Sequence, residues 1–228
     1  MFRGKKYKKI AESIERNKAY GLGEAIEILK KSELKFDQTV EIHFNLGVDP
    51  KHSDQVVRGT VVLPNGTGRK VRVLVFCKDN NLEVAKNAGA DYAGGADLVQ
   101  KILDGWLDFD SVVATPDMMP VISKVAKVLG PRGLMPSPKA GTVTVNVAQT
   151  VKELKAGKIQ YRVDKGANVH APVGKLSFTV EQLVQNAKAV IDSVVKAKPQ
   201  SSKGTYVKSL SLTATMTPSV KLDMALTR

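Results

Sequence analysis

Along residues 34–48, LKFDQTVEIHFNLGV, apolar and polar positions alternate with a period of two. Phe36, Val40, Ile42, Phe44, Leu46 and Val48 fall on one side, with Gln38 the exception, and Asp37, Thr39, Glu41, His43 and Asn45 on the other. That period belongs to a strand with one face on a core and one face turned outward. It returns at the far end of the chain. From Tyr206 to Met216, Leu210, Leu212, Ala214 and Met216 alternate with Ser209, Ser211, Thr213 and Thr215. The two patterns predict that both ends of the chain meet in one sheet with a polar face.

The stretches between them follow two grammars. Residues 4–17 predict a helix whose apolar stripe is Tyr7, Ile10, Ala11 and Ile14, with Lys5, Lys6, Lys8, Lys9 and Arg16 on its other faces. A second helix is predicted over 24–31 and a strand over 55–63, before the glycine-rich break at 64–68. Residues 71–77, VRVLVFC, are then almost continuously apolar, as in a parallel strand covered on both faces. Helices at 82–88, 96–103 and 116–129, strands at 91–93, 111–114 and 142–145, and a helix ending at Ala156 continue in alternation. Alternation of this kind means βαβ units and a parallel sheet. From Ile159 the first grammar resumes, with a strand at 159–163, a long amphipathic helix at 179–197 and a linker at 199–204. Neither flank has elements enough for a core alone. The pattern therefore predicts a discontinuous α+β domain, 1–66 plus 159–228, interrupted by an α/β domain at 67–158, with a hinge near 64–70 and 157–160.

Charge points to a partner. The net charge is +13 and the pI about 9.7, which favours a polyanion, nucleic acid first and an anionic membrane second. Residues 1–66 carry 12 basic and 9 acidic side chains and residues 159–228 carry 10 and 4, so the flanks hold +9 against +4 for the middle. The single cysteine, Cys77, excludes a disulfide framework and suggests a reducing compartment. The N-terminus lacks the apolar segment of a secretory signal, and no apolar run reaches the roughly 20 residues of a membrane span.

Catalytic motifs are sparse. His43, His52 and His170 are not spaced as metal ligands, and no G-x-S-x-G or Walker loop occurs. The strand at 71–77 leads into Lys78, Asp79, Asn80 and Asn81 where a phosphate cradle would need glycines. Asp104, Asp108 and Asp110 read as capping groups around Trp106. The competing class is a nucleotide-binding enzyme that uses the α/β insertion. The loop at 130–142, GPRGLMPSPKAGT, is stiffened by three prolines and reads either as a rigid connection between helix and strand or, since it exposes Arg132 and Lys139, as a secondary RNA or tRNA contact suggested by charge and position alone. With 5% aromatic residues, a base-stacking sheet of the common four-stranded type is disfavoured.

Several longer runs are more specific: SDQVVRGTVVLPNGTG (53–68), AGADYAGG (88–95), KILDGWLDFDSVVATPDMM (101–119), GPRGLMPSPKAGT and HAPVGK (170–175). In order and over nearly the whole chain, they resemble the bacterial form of the large-subunit ribosomal protein L-one family. The resemblance implies an outer two-layer α+β domain, an inserted three-layer Rossmann-like domain and no cofactor. It implies a chain that is monomeric when free, is not bound to a membrane, and works in the ribosome of the cytoplasm or an organelle. Its implied partners are a junction in large-subunit ribosomal RNA, the exit-site tRNA whose release the mobile lateral stalk assists, and an operon messenger RNA that it represses. The implied RNA patch comprises Lys35, Phe36, Thr39 and Glu41 from the first strand and Ser209, Thr215, Met216, Thr217, Pro218 and Ser219 from the last. At 217 the family usually has glycine. Thr217 implies either a hydroxyl that takes over an RNA contact or a shifted loop.

Overall fold

The structure, a computed structural model, describes residues 4–15, 18–32, 34–78 and 81–227, apart from the side chain of Lys139. The chain packs into two compact units, one of Met1–Gly68 with Ile159–Arg228 and one of Arg69–Lys158. The first segment supplies α1 (Lys5–Glu12), α2 (Leu22–Lys30), β1 (Thr39–Leu46) and β2 (Arg58–Val62). The second unit contains β3 (Val73–Phe76), α3 (Leu82–Asn87), β4 (Tyr92–Gly94), α4 (Ala96–Leu103), β5 (Ser111–Ala114), α5 (Met119–Ile122), α6 (Ala126–Leu129) and α7 (Val147–Lys155). Then follow β6 (Lys158–Arg162), β7 (Asn168–Lys175), α8 (Val180–Lys196), β8 (Val207–Ala214) and β9 (Val220–Lys221).

The predicted meeting of the two ends is observed. β1 lies between β7 and β8, antiparallel to both, in a four-stranded sheet ordered β7-β1-β8-β9. Val40, Ile42, Phe44 and Leu46 are buried, each worth about 1.5–3 kcal/mol relative to exposure. A one-residue slip would turn all four outward, so the pattern fixes the register. α2 and α8 contribute apolar stripes to the same core, α8 through Leu183, Ala187, Val190, Ile191 and Val194. Thr179 and Gln182 begin α8 with a reciprocal capping box. Its other end is fastened by Tyr161 Oη donating to Ser193 C=O and Tyr206 Oη donating to Val194 C=O, both at 3.0 Å. Burial, then the neighbouring Tyr161, pushes the Tyr206 hydroxyl up to about 12.

β2 and β6 form a two-stranded ribbon, with Val163 N–H bonded to Val57 C=O and Gly59 seated against Tyr161. Those pairs make the ribbon antiparallel, so the chain leaves and re-enters this unit at one end of it. Gly68 stands at the exit with φ +71, where a Cβ would come 2.9 Å from Lys175 and Phe178 side-chain carbons. Only glycine fits there.

In the second unit β4-β3-β5 is a parallel sheet with an apolar cluster on each face. Cys77 is buried in one of these clusters. Asp108 and Asp110 are ion-paired rather than capping: Arg72 bonds both, and Arg69 bonds Asp110 at 2.5 Å.

Five elements differ from the prediction. β7 was missed because Pro172 and Gly174 break its alternation. Pro172 is tolerated there because β7 is an edge strand, and the register shifts between Val40 and Glu41 beside it. β1 begins at Thr39, not at 34. Asp37 is engaged by Ser177 through its N–H and hydroxyl, and Gln38 is buried with its amide on Ser32. Residues 142–145 make only a bridge, Val143 to Ala114. The helix at 116–129 is broken into α5, α6 and short 3-10 turns. Within the predicted helix at 4–17 the helical residues are Lys5–Glu12, and Arg16 lies outside the described residues, as do Asp79 and Asn80. Among the described residues no helix is long and apolar enough to cross a membrane.

Candidate nucleic-acid interface

The outer face of the four-stranded sheet carries polar side chains in rows, because strand pairing brings outward residues of β7, β1 and β8 side by side. At one end Lys175 Nζ donates to Thr39 Oγ1 at 2.9 Å, while Thr215 Oγ1 accepts from Thr39 N–H at 3.2 Å. Next come Pro172, Glu41 and Thr213, then His170, His43 and Ser211. At the far end Asn45 Nδ2 donates to Asn168 Oδ1 at 2.8 Å, with Ser209 opposite Asn45. From Ser209 to Thr215 the face is about 20 Å long at the rise of a strand.

The sequence-predicted residues gather on this face and at its Thr39 end. Thr39, Glu41, Ser209 and Thr215 face outward from β1, β8 and the turn after β8. Lys35 and Phe36 occupy the bend before β1 rather than the strand, and that bend is tied down by Asp37. Phe36 and Met216, exposed by 47% and 72%, flank the Thr39 row. Ser219 is exposed beyond the turn. Two residues take other roles. Pro218 is buried and shapes the loop from inside. The Thr217 hydroxyl accepts from Ala214 N–H and donates to Ala214 C=O, both at 2.9 Å, so it closes the turn instead of facing a ligand. Met216 is thereby held at φ 64, a left-handed conformation that costs a side-chain-bearing residue about 1–2 kcal/mol. Strain of this kind at an exposed tip fits a functional position.

Sequence reasoning missed Lys175 and His170 on this face, and placed Thr213 on the polar side of the last strand without choosing it as a site residue. Lys175 and His170 sit on β7, the strand that was not predicted, so no pattern could bring them beside β1. In the second unit Arg132 is exposed in the turn after α6, and the loop that follows is closed by Thr142 Oγ1 accepting from Ser137 N–H at 2.8 Å. The side chain of Lys139, the other residue predicted there, lies outside the described residues.

Over residues 28–218 the sequence matches the family described as Ribosomal protein L1p/L10e family. The chain belongs to that family. The match takes in 191 of the 228 residues and includes β1, β7 and β8 entire, so the polar face falls inside it, while α1 and Ser219 lie outside. As an L1-family protein the chain is a structural component of the large ribosomal subunit that binds ribosomal RNA. Its family is one of RNA-binding structural proteins and not of enzymes.

Proposed function

We propose that the outer face of the β7-β1-β8-β9 sheet is the surface that grips the ribosomal RNA junction of the mobile lateral stalk. The observation that carries this is the composition of the face. Hydroxyls, amides, the His43–His170 imidazole pair and one carboxylate occupy its interior, two exposed apolar side chains stand at one end, and lysines lie at its margins. Ser, Thr and Glu at such positions hydrogen-bond ribose 2′-OH groups and exposed base edges, and Phe36 and Met216 pack on sugars or bases. Lysines contribute salt-sensitive affinity with little discrimination.

The Arg69–Lys158 unit is then an insertion carried on a hinge at its two chain crossings, and relative motion is the default for units so joined. That motion would let the stalk follow deacylated tRNA and assist its release from the exit site, with Arg132 and Lys139 as candidate contacts. The same face would serve repression by taking a junction of like shape in the protein's own operon messenger RNA.

Glu41 gives the sharpest test. A carboxylate facing RNA repels phosphate, so its place on the face is useful only if it accepts from a hydroxyl or amino group. Filter binding of Glu41→Ala should show weaker binding to stalk-junction RNA and little change for random RNA. Equal tightening toward both RNAs would remove Glu41 from the interface. Excess operon messenger should compete with the ribosomal junction for one site, and simultaneous binding of both would contradict the shared-face reading.

A further inference from the structure

Midway between the Thr39 and Asn45 ends of the face runs a chain of four side chains, three of them linked by hydrogen bonds and the fourth, Asp164, within ion-pair distance. Thr213 Oγ1 is 2.8 Å from His43 Nε2, and His43 Nδ1 is 2.7 Å from His170 Nδ1. On the far side His170 Nε2 lies 3.6 Å from Asp164 Oδ2. The two rings meet edge to face, with centroids 4.9 Å apart. The chain spans three strands of the sheet, and Thr213 is half-buried directly opposite Glu41.

Proton counting gives the chain a direction. Asp164 stays ionised: the Asn168 N–H foremost, then the Asn168 amide, the Gly166 N–H and His170, outweigh partial loss of water and hold its pKa below the ordinary carboxylate value. A carboxylate only accepts, so it favours the proton on His170 Nε2. In a neutral ring the other nitrogen is then bare, so His170 Nδ1 accepts and His43 Nδ1 donates. That leaves His43 Nε2 bare, and the Thr213 hydroxyl must donate to it. The order is Thr213 to His43 to His170 to Asp164. The only group Thr213 can offer outward in this state is its oxygen, an acceptor beside the acceptor Glu41.

We infer that Thr213 is a specificity-determining residue of the RNA face, accepting from an amino or imino N–H of an unpaired base, with its polarity set by the two histidines. This rests on the reading of the outer face as the RNA site. A base N–H is the fitting class because it can only donate, whereas a 2′-OH could exchange roles with Thr213. Adding one proton to the pair places an N–H on His43 Nε2, whichever ring carries the charge. Thr213 must then accept from His43 with one of its two lone pairs, which releases its O–H and leaves one lone pair instead of two toward the base, so the released O–H competes with the acceptor for that direction.

The groups facing the pair are few. Glu41 lies on β1, Asp164 before β7, Lys175 at the end of β7 and Lys221 on β9 opposite Ser211, while the outward residues of β8 here, Ser209, Ser211 and Thr213, are uncharged. Burial, then the neighbouring His170, lowers the His43 pKa despite the opposing Glu41. At pH 8 the His43 ring is therefore neutral, and Thr213 presents its oxygen outward.

The test measures affinity for stalk-junction RNA and for random RNA of equal length, at pH 8 and pH 5, using the full chain. Taking the ratio of the two affinities cancels the added positive charge, which strengthens both. At pH 8 Thr213→Val should weaken junction binding about five-fold, the worth of one neutral hydrogen bond, and leave random RNA unchanged, while Thr213→Ser should bind as the wild type does. The wild-type ratio should fall about five-fold from pH 8 to pH 5, and the Thr213→Val ratio should stay flat. A Thr213→Val protein with wild-type junction affinity at pH 8, or with the wild-type fall on acidification, overturns the inference. Glu41→Ala run in parallel separates the two readings. If it weakens junction binding and Thr213→Val does not, the face stands and Thr213 is excluded; if neither matters, the face itself is wrong.

Discussion

The hydroxyl of Thr217 is bonded to both backbone groups of Ala214, accepting from the N–H and donating to the C=O at 2.9 Å each. This closure holds Met216 in its left-handed conformation at the exposed tip after β8. Met216→Gly should therefore raise stability by about 0.5–1 kcal/mol, since glycine adopts φ 64 without penalty. It should also lower affinity for the junction RNA, because the exposed side chain is gone. Denaturant titration and filter binding on the same preparation check the opposite signs. Thr217→Val should cost about 1 kcal/mol of stability by leaving Ala214 N–H without its partner. A midpoint shift at constant slope reports that loss.

Asn186 is fully buried in α8 and donates to Val173 C=O at 2.7 Å and Gly66 C=O at 2.9 Å, while accepting from Asn65 N–H at 3.0 Å. It ties the exit segment to β7 and the helix. Asn186→Leu should destabilise by about 2–4 kcal/mol, because three backbone groups lose their partner. Asn186→Asp should be the milder change if acceptance from Asn65 matters most, and chemical unfolding of the two variants ranks them.

How much of this was legible depends on whether a pattern was local. β1 and β8 could be paired on paper because each alternates cleanly and their polar faces match. β7 could not, since Pro172 and Gly174 interrupt its period at the register shift beside Glu41. With β7 went the chance of seeing Lys175 beside Thr39 or His170 beside His43, contacts between residues more than 120 positions apart. Asn186 was hidden for another reason. It sits on the inward stripe of α8, and a lone asparagine among apolar residues carries no sign of the three backbone groups it serves. Thr217 was marked by its departure from the family's glycine, yet the direction of its hydroxyl depends on turn geometry that no sequence pattern encodes.

Asp110 makes the second unit sensitive to acid. Burial alone would raise its pKa, but hydrogen bonds from the Arg72 side chain and N–H, together with the charges of Arg69 and Arg72, outweigh it and hold the carboxyl below its ordinary value. A depressed carboxyl contributes stability that is present above its unfolded pKa, near 4, and is lost as pH falls through the folded value. Stability of the wild type should therefore drop as pH falls below about 4. Asp110→Asn should be less stable at pH 7 and show a shallower acid limb, and an unchanged limb would place the acid sensitivity elsewhere.

α1 presents Lys5 and Lys8 as exposed side chains outside the family match. If they meet phosphate, replacing both with alanine should weaken cognate and random RNA alike. The slope of log affinity against log salt should flatten by about one for each lost contact. An unchanged slope makes α1 an ordinary solvated helix.

The central claim is that the sheet built from both chain ends recognises the RNA junction. Both crossings of the chain leave one end of the β2-β6 ribbon, so Gly68 can be joined to Ile159 by a short glycine-serine linker that omits the Arg69–Lys158 unit. The shortened protein, shown to be folded by circular dichroism and a cooperative thermal transition, is titrated with stalk-junction RNA beside the full chain. The account predicts a dissociation constant within about ten-fold of the full-length value, with discrimination against random RNA retained. A folded protein that no longer tells the junction from random RNA would move the recognition surface into the omitted unit and contradict it.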